Sequence, residues 1–114
     1  MKTQRTIKFR VWDEKYKCWV KNSFLLYLED EIKIQGRILT QFTGLKDKNN
    51  KEIYEGDILR LENDKNYRVF FDHGCFMVSF DNQSELPLLV YVEEKRCEIS
   101  GNIFENPELL NENI

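Results

Sequence analysis

Asp72, His73 and Cys75 fall within four consecutive positions and bring together a carboxylate, the chain's one imidazole and a thiol. A Cys–His pair does nucleophilic chemistry when the imidazole reaches the sulfur and a third group orients the ring. Here "DHGC" reads as a tight turn, and adjacent residues of such a turn point in diverging directions. The spacing speaks against a catalytic dyad. The run "DKNNKE" offers a second candidate. Asp47 and Asn49 suit the first and third ligand positions of an EF-hand calcium loop. Lys51 then stands at the fifth position, Glu52 where glycine is required, and Ile58 where the bidentate Glu belongs. Asp57 is expected to bond local backbone N–H groups rather than a metal. Cys18, Cys75 and Cys97 are odd in number and far apart, with no C-x-x-C pair, so free thiols are expected rather than a zinc site or a disulfide framework. No Gly-rich phosphate loop, nucleophile elbow or paired-histidine motif occurs. No catalytic, cofactor-binding or metal-ligating residue is assigned, and no cofactor is expected.

Binding chemistry has one candidate. Lys8, Arg10, Lys15, Lys17 and Lys21 are interleaved with Trp12 and Trp19. Basic side chains contact phosphates and aromatic rings stack on bases. Lys8, Arg10, Trp12 and Lys17 are therefore the candidate contacts for nucleic acid or for a protein partner. The register of the hairpin decides between readings. An even-length loop puts Trp12, Trp19, Lys8, Arg10, Lys17 and Lys21 on one face. A three-residue loop puts Trp19 in the core with Val11 and Phe9, away from Trp12.

The elements that position these residues are strands. "TIKFRVWD" alternates, and "KCWVKN" returns beside it, giving an N-terminal hairpin over about residues 5–22. "SFLLYLEDEIKIQGRI" reads as two short strands joined by a turn, with a short helix followed by a strand as the alternative. "DKNN" reads as a hairpin loop with Asn50 left-handed, and Gly56 as a tight turn opening a strand at Ile58. Asp47 and Lys48 are read as solvent-facing loop residues. A two-residue turn at His73-Gly74 pairs Asp72 with Cys75, Phe71 with Phe76, Val69 with Val78 and Tyr67 with Phe80. Those apolar residues share one face, while Phe70, Cys75 and Met77 leave the opposite face partly apolar too. "LPLLVYVEEKRCEISGNIF" predicts two strands around a polar "EEKR" turn. Asn106 fits an N-cap and Pro107 the first position of a short terminal helical turn, with Leu109 and Leu110 tucking back.

Composition agrees with that reading. The chain has 114 residues, 13% of them aromatic and none of them alanine, which favours strands over helices. Its length suits one domain spanning 1–114. No apolar run approaches the roughly 20 residues that cross a bilayer, and no apolar stretch follows the basic start, so a cytoplasmic protein is expected. Net charge is −3. Residues 1–21 carry seven Lys/Arg against two Asp/Glu, and residues 22–114 carry ten against eighteen. Such asymmetry marks either an interaction surface or two halves that attract each other.

"IKFRVWD", "QFTGLKDKNNKEIYEGDIL" and "ISGNIFENPELL" together resemble the YopX family of phage and prophage proteins. The resemblance implies a mainly β fold, an SH3-like small barrel over about residues 38–105, and a phage or prophage source. It implies no enzyme activity and carries over no catalytic residue. Family members often have Gly where Asn50 stands, which supports a left-handed turn there, and Asn where Tyr16 stands, which favours the three-residue loop and separated tryptophans. The leading expectation is a non-enzymatic phage accessory protein acting through protein binding or self-assembly. Its expected partners are further copies of itself or a phage or host protein, not a membrane. The alternative is a nucleic-acid-binding regulator using the basic N-terminal hairpin.

Overall fold

The computed structural model describes residues 6–20, 36–79, 85–93 and 96–113. Alternation in "FRVWD" forms β1 (Phe9–Asp13), and β2 (Cys18–Trp19) returns beside it. Trp12 faces Trp19 and Asp13 faces Cys18, so the connecting loop has four residues, not three. The left-handed residue is Lys17, at φ 54, rather than Tyr16. Asp13 sets this geometry. Its Oδ1 accepts the backbone N–H groups of Lys15 and Tyr16 at 2.9 and 3.0 Å and stabilises a turn one residue longer than the family pattern suggests.

β3 (Arg37–Lys46) lies against β1, and β4 (Glu52–Tyr54) folds back on β3, giving a four-stranded sheet of order β2-β1-β3-β4. The β3–β4 loop carries Asn50 at φ 66, as its turn chemistry requires. β5 (Asp57–Leu61), β6 (Asn66–Asp72), β7 (Cys75–Ser79), β8 (Leu86–Pro87) and β9 (Cys97–Asn102) form a second sheet of order β8-β7-β6-β5-β9. This sheet curls into a half barrel. The mainly β, SH3-like architecture expected from the sequence is the one found, with its N-terminal hairpin and C-terminal helical turn.

The β6–β7 hairpin has the expected register, pairing Asp72 with Cys75, Phe71 with Phe76 and Val69 with Val78. His73 and Gly74 both take positive φ, as a primed two-residue turn demands. Val69 and Val78 enter a core with Ile53, Leu59, Leu61, Tyr67, Leu88 and Cys97, and Phe76 packs against it. Phe71 does not join them and is 53% exposed. β5 pairs with β6 only from Asn66 to Arg68, so the end of the hairpin overhangs its sheet.

The first of the two strands expected before and after "EEKR" is largely replaced by a helix. Only Leu86–Pro87 is strand, and α1 (Leu88–Glu93) follows. Leu88, Tyr91 and Val92 recur at helical spacing and face the core, while Leu89 and Val90 are exposed. An unbroken apolar run of this length satisfies either period, and burial of Leu88 selects the helical one. The chain ends in a 3-10 helix (Pro107–Asn113). Asn106 precedes it, but its Oδ1 accepts the N–H of Asn102 at 3.2 Å, so the side chain fastens the preceding turn. The expected strands of residues 23–38 fall mostly outside the described residues, as does the partner of Tyr67, Phe80.

Candidate functional site

The candidate contacts Lys8, Arg10, Trp12 and Lys17 lie on or beside the N-terminal hairpin. The even register puts Arg10, Trp12 and Trp19 on one face, and that face is covered. Trp12 is 2% exposed, its ring 5.0 Å from Trp19 and 5.6 Å from Phe104, centroid to centroid. Trp12 Nε1 donates to Glu14 Oε2 at 2.7 Å, and Trp19 Nε1 donates to Glu105 Oε1 at 2.8 Å. Arg10 sits between the Trp19 and Tyr54 rings, at 4.2 and 4.7 Å from their centroids, and pairs with Asp57. Lys8 pairs with Glu52 and Lys17 with Glu14. Each of the three candidate cations thus has a carboxylate partner, and two of those partners lie in the acidic remainder of the chain. The charge asymmetry is used here to hold the two parts together.

Asp57 is the hinge of this joint. It is 2% exposed and accepts the N–H of Tyr54 through Oδ2 at 2.8 Å, the local backbone role expected of it. Burial pushes its carboxyl above the usual carboxylate range, against the pull of Arg10 and the Tyr54 amide. Glu105 moves the other way, held low by hydrogen bonds from Asn102 and Trp19.

At the β6–β7 turn, His73 Nδ1 lies 3.2 Å from Asp72 Oδ2, while Cys75 Sγ lies 3.3 Å from Met77 Sδ. Imidazole and thiol face different partners, and this arrangement is no nucleophile–base pair. The three cysteines are free: Cys18 and Cys75 are exposed and Cys97 is buried. Burial, with Asp47 adding to it, pushes the Cys97 thiol up to about 11.

Between the two sheets lies a cleft of about 350 Å³. Ile38 and Leu39 of β3 form one wall, Val69 and Phe70 of β6 the other, and Ile103 and Phe104 close one end. Glu55 and Arg68 are the ionisable groups of its lining. Gly56, at φ 92, lets the chain turn there, and a Cβ on it would lie 3.0 Å from the Phe104 ring. No sequence pattern announces this site, because its walls come from segments far apart in the chain. Its one local signal is Phe70, an apolar residue on the second face of the hairpin. A smaller cavity, lined by Lys48, Arg60 and Arg96 with Glu62, Asp64 and Glu98, carries balanced formal charge.

The family model described as YopX protein matches residues 26–111. The chain belongs to the YopX family. The match begins after "IKFRVWD", so the N-terminal hairpin lies outside it. No curated protein matches the chain. Among solved structures, the crystal structure of protein EF1440 from Enterococcus faecalis is similar, with a TM-score of 0.67 and 23% identity. The similarity covers 94% of this chain and 99% of that one. At this identity it speaks to the fold, which the two chains share across nearly their whole lengths. Among the described residues no helix is long and apolar enough to cross a membrane.

Proposed function

We propose that this YopX-family chain is a non-enzymatic phage or prophage accessory protein of the host cytoplasm, acting by protein contact and first of all by self-association. The observation that carries the reading is the open apolar cleft between the sheets. A concave site of about 350 Å³ with apolar walls and a few polar groups is built for binding. Leaving such walls in water forfeits burial worth roughly 25 cal/mol per Å². The chain also displays apolar side chains suited to fill a cleft of this kind. Phe71 stands exposed at the hairpin tip, and Leu89 and Val90 on α1. A projection on one copy seated in the cleft of the next gives a head-to-tail contact. The nucleic-acid alternative has less behind it, since Lys8, Arg10 and Lys17 are already matched with carboxylates. Light scattering across a concentration series, with and without added nucleic acid, tests the reading. Mass that rises with protein concentration alone supports it. A constant mass of 13.8 kDa that rises only when nucleic acid is added would replace it with the alternative.

A further inference from the structure

Asp72, His73 and Glu85 place two carboxylate oxygens and one imidazole nitrogen within 4.8 Å of one another. The three come from the end of β6, the β6–β7 turn and the residue before β8, so sequence spacing does not reveal them. The geometry points to a divalent transition-metal site formed by Asp72, His73 and Glu85. Metal–ligand bonds of about 2.0–2.2 Å set neighbouring donors roughly 3–4 Å apart, and modest rotation of exposed side chains closes the remaining distance. His73 is held at φ 52 in its turn. Asp72 divides its two oxygens: Oδ1 accepts the His73 backbone N–H at 2.9 Å, and Oδ2 faces His73 Nδ1 at 3.2 Å. One oxygen fixes the turn and the other stands beside the ring.

Charge makes the same case. Among the described residues no Lys or Arg pairs with Asp72 or Glu85, and His73 is the one basic group beside Asp72. Two carboxylates at this separation repel unless a positive charge lies between them. A divalent ion bound to all three groups supplies that charge. The donor set of one nitrogen and two oxygens suits Zn²⁺, Co²⁺ or Ni²⁺ better than Ca²⁺ or Mg²⁺, which take oxygen ligands. Cys75 is directed at Met77 and stays outside the set. Three protein donors leave a coordination position for water or for a side chain of another molecule.

Calorimetric titration of the full chain with Zn²⁺ at about pH 7.5 tests this site. The expected result is saturable binding of one ion per chain. His73→Asn and Glu85→Gln should each weaken it at least tenfold. Asn accepts the left-handed backbone of position 73, so the turn survives and the melting temperature reports that it has. Cys75→Ser should leave binding unchanged, and Co²⁺ bound in place of Zn²⁺ should lack thiolate charge-transfer absorption. Absence of saturable binding would overturn the proposal. So would binding that ignores His73→Asn and Glu85→Gln but disappears with Cys75→Ser.

Discussion

Asp47 Oδ2 accepts the backbone N–H of Ile99 at 2.9 Å and joins the β3–β4 loop to the outer edge of β9. The same carboxylate accepts the N–H groups of Asn49 and Lys51 through Oδ1, both at 2.9 Å. Lys48 N–H donates to the Cys97 carbonyl at 3.0 Å beside it. One side chain thus shapes its own loop and closes the four-stranded sheet onto the edge of the half barrel. An edge covered this way is withheld from pairing with another chain.

Asp47 is therefore structural and not the solvent-facing loop residue that its sequence setting suggests; it is 6% exposed. Asp47→Ala leaves three backbone donors to find new partners and should destabilise the fold by on the order of 3 kcal/mol. Lys48→Ala should stay within about 0.5 kcal/mol, since its loop bond is made by the backbone and its Glu98 pair is partly exposed. Urea unfolding of the two variants checks both values. An Asp47→Ala protein as stable as the parent would remove the closure from the account.

Gly56 should be equally intolerant. At φ 92, with the Phe104 ring 3.0 Å from an added Cβ, Gly56→Val combines backbone strain with a clash. A loss of roughly 1–3 kcal/mol is expected from the backbone alone. A thermal melt measures it, and an unchanged midpoint would mean that the turn relaxes freely.

The thiols should divide two to one. Cys18 and Cys75 are exposed, whereas Cys97 is buried with its thiol pushed up to about 11. Near neutral pH the thiolate is the reactive form, so burial and the raised value both protect Cys97. Thiol titration of the native protein should count two fast groups, and a third only after denaturation. Three fast groups in the native state would place Cys97 at the surface.

The carboxylates should differ in how they shape stability against pH. Glu105 has a folded value below its ordinary one of about 4.3, so its stabilisation is full above that value and is lost as pH falls through the lower folded value. Asp57 has a raised folded value. Its share of stability falls as pH rises from the ordinary value of about 3.9 through the folded one, because the buried carboxyl must then ionise. Glu105→Gln should therefore flatten the acid limb of a stability–pH curve, and Asp57→Asn should make it slightly steeper. The opposite ranking in acid-unfolding curves would contradict the assigned environments.

What was legible in the sequence was whatever depended on near neighbours. The His73-Gly74 register could be read because turn chemistry and period-2 alternation coincide over a few residues on each side. Asn50 could be read from its turn alone. The helix at Leu88–Glu93 could not, because its unbroken apolar run carries no polar phase to distinguish the two periods. The Trp12–Trp19 register depended on how Asp13 bonds its loop, a choice between turns one residue apart. The clamp from Asp47 to Ile99 and the cleft between the sheets unite segments far apart in the chain, so no short window of sequence contains them, and Glu85 joins the adjacent Asp72 and His73 only through the fold.

Self-association as proposed seats another copy of the chain in the cleft between the sheets. Sedimentation velocity of the parent and of Ile38→Asp, over the same concentration range, tests it most directly. Ile38 is 40% exposed on the cleft wall, so a charge there spoils the apolar surface with little harm to the core. The parent should sediment as species heavier than 13.8 kDa, increasingly so with concentration, and Ile38→Asp should stay near 13.8 kDa with an unaltered melting temperature. A parent that remains at 13.8 kDa throughout, or a variant that associates as the parent does, would contradict it.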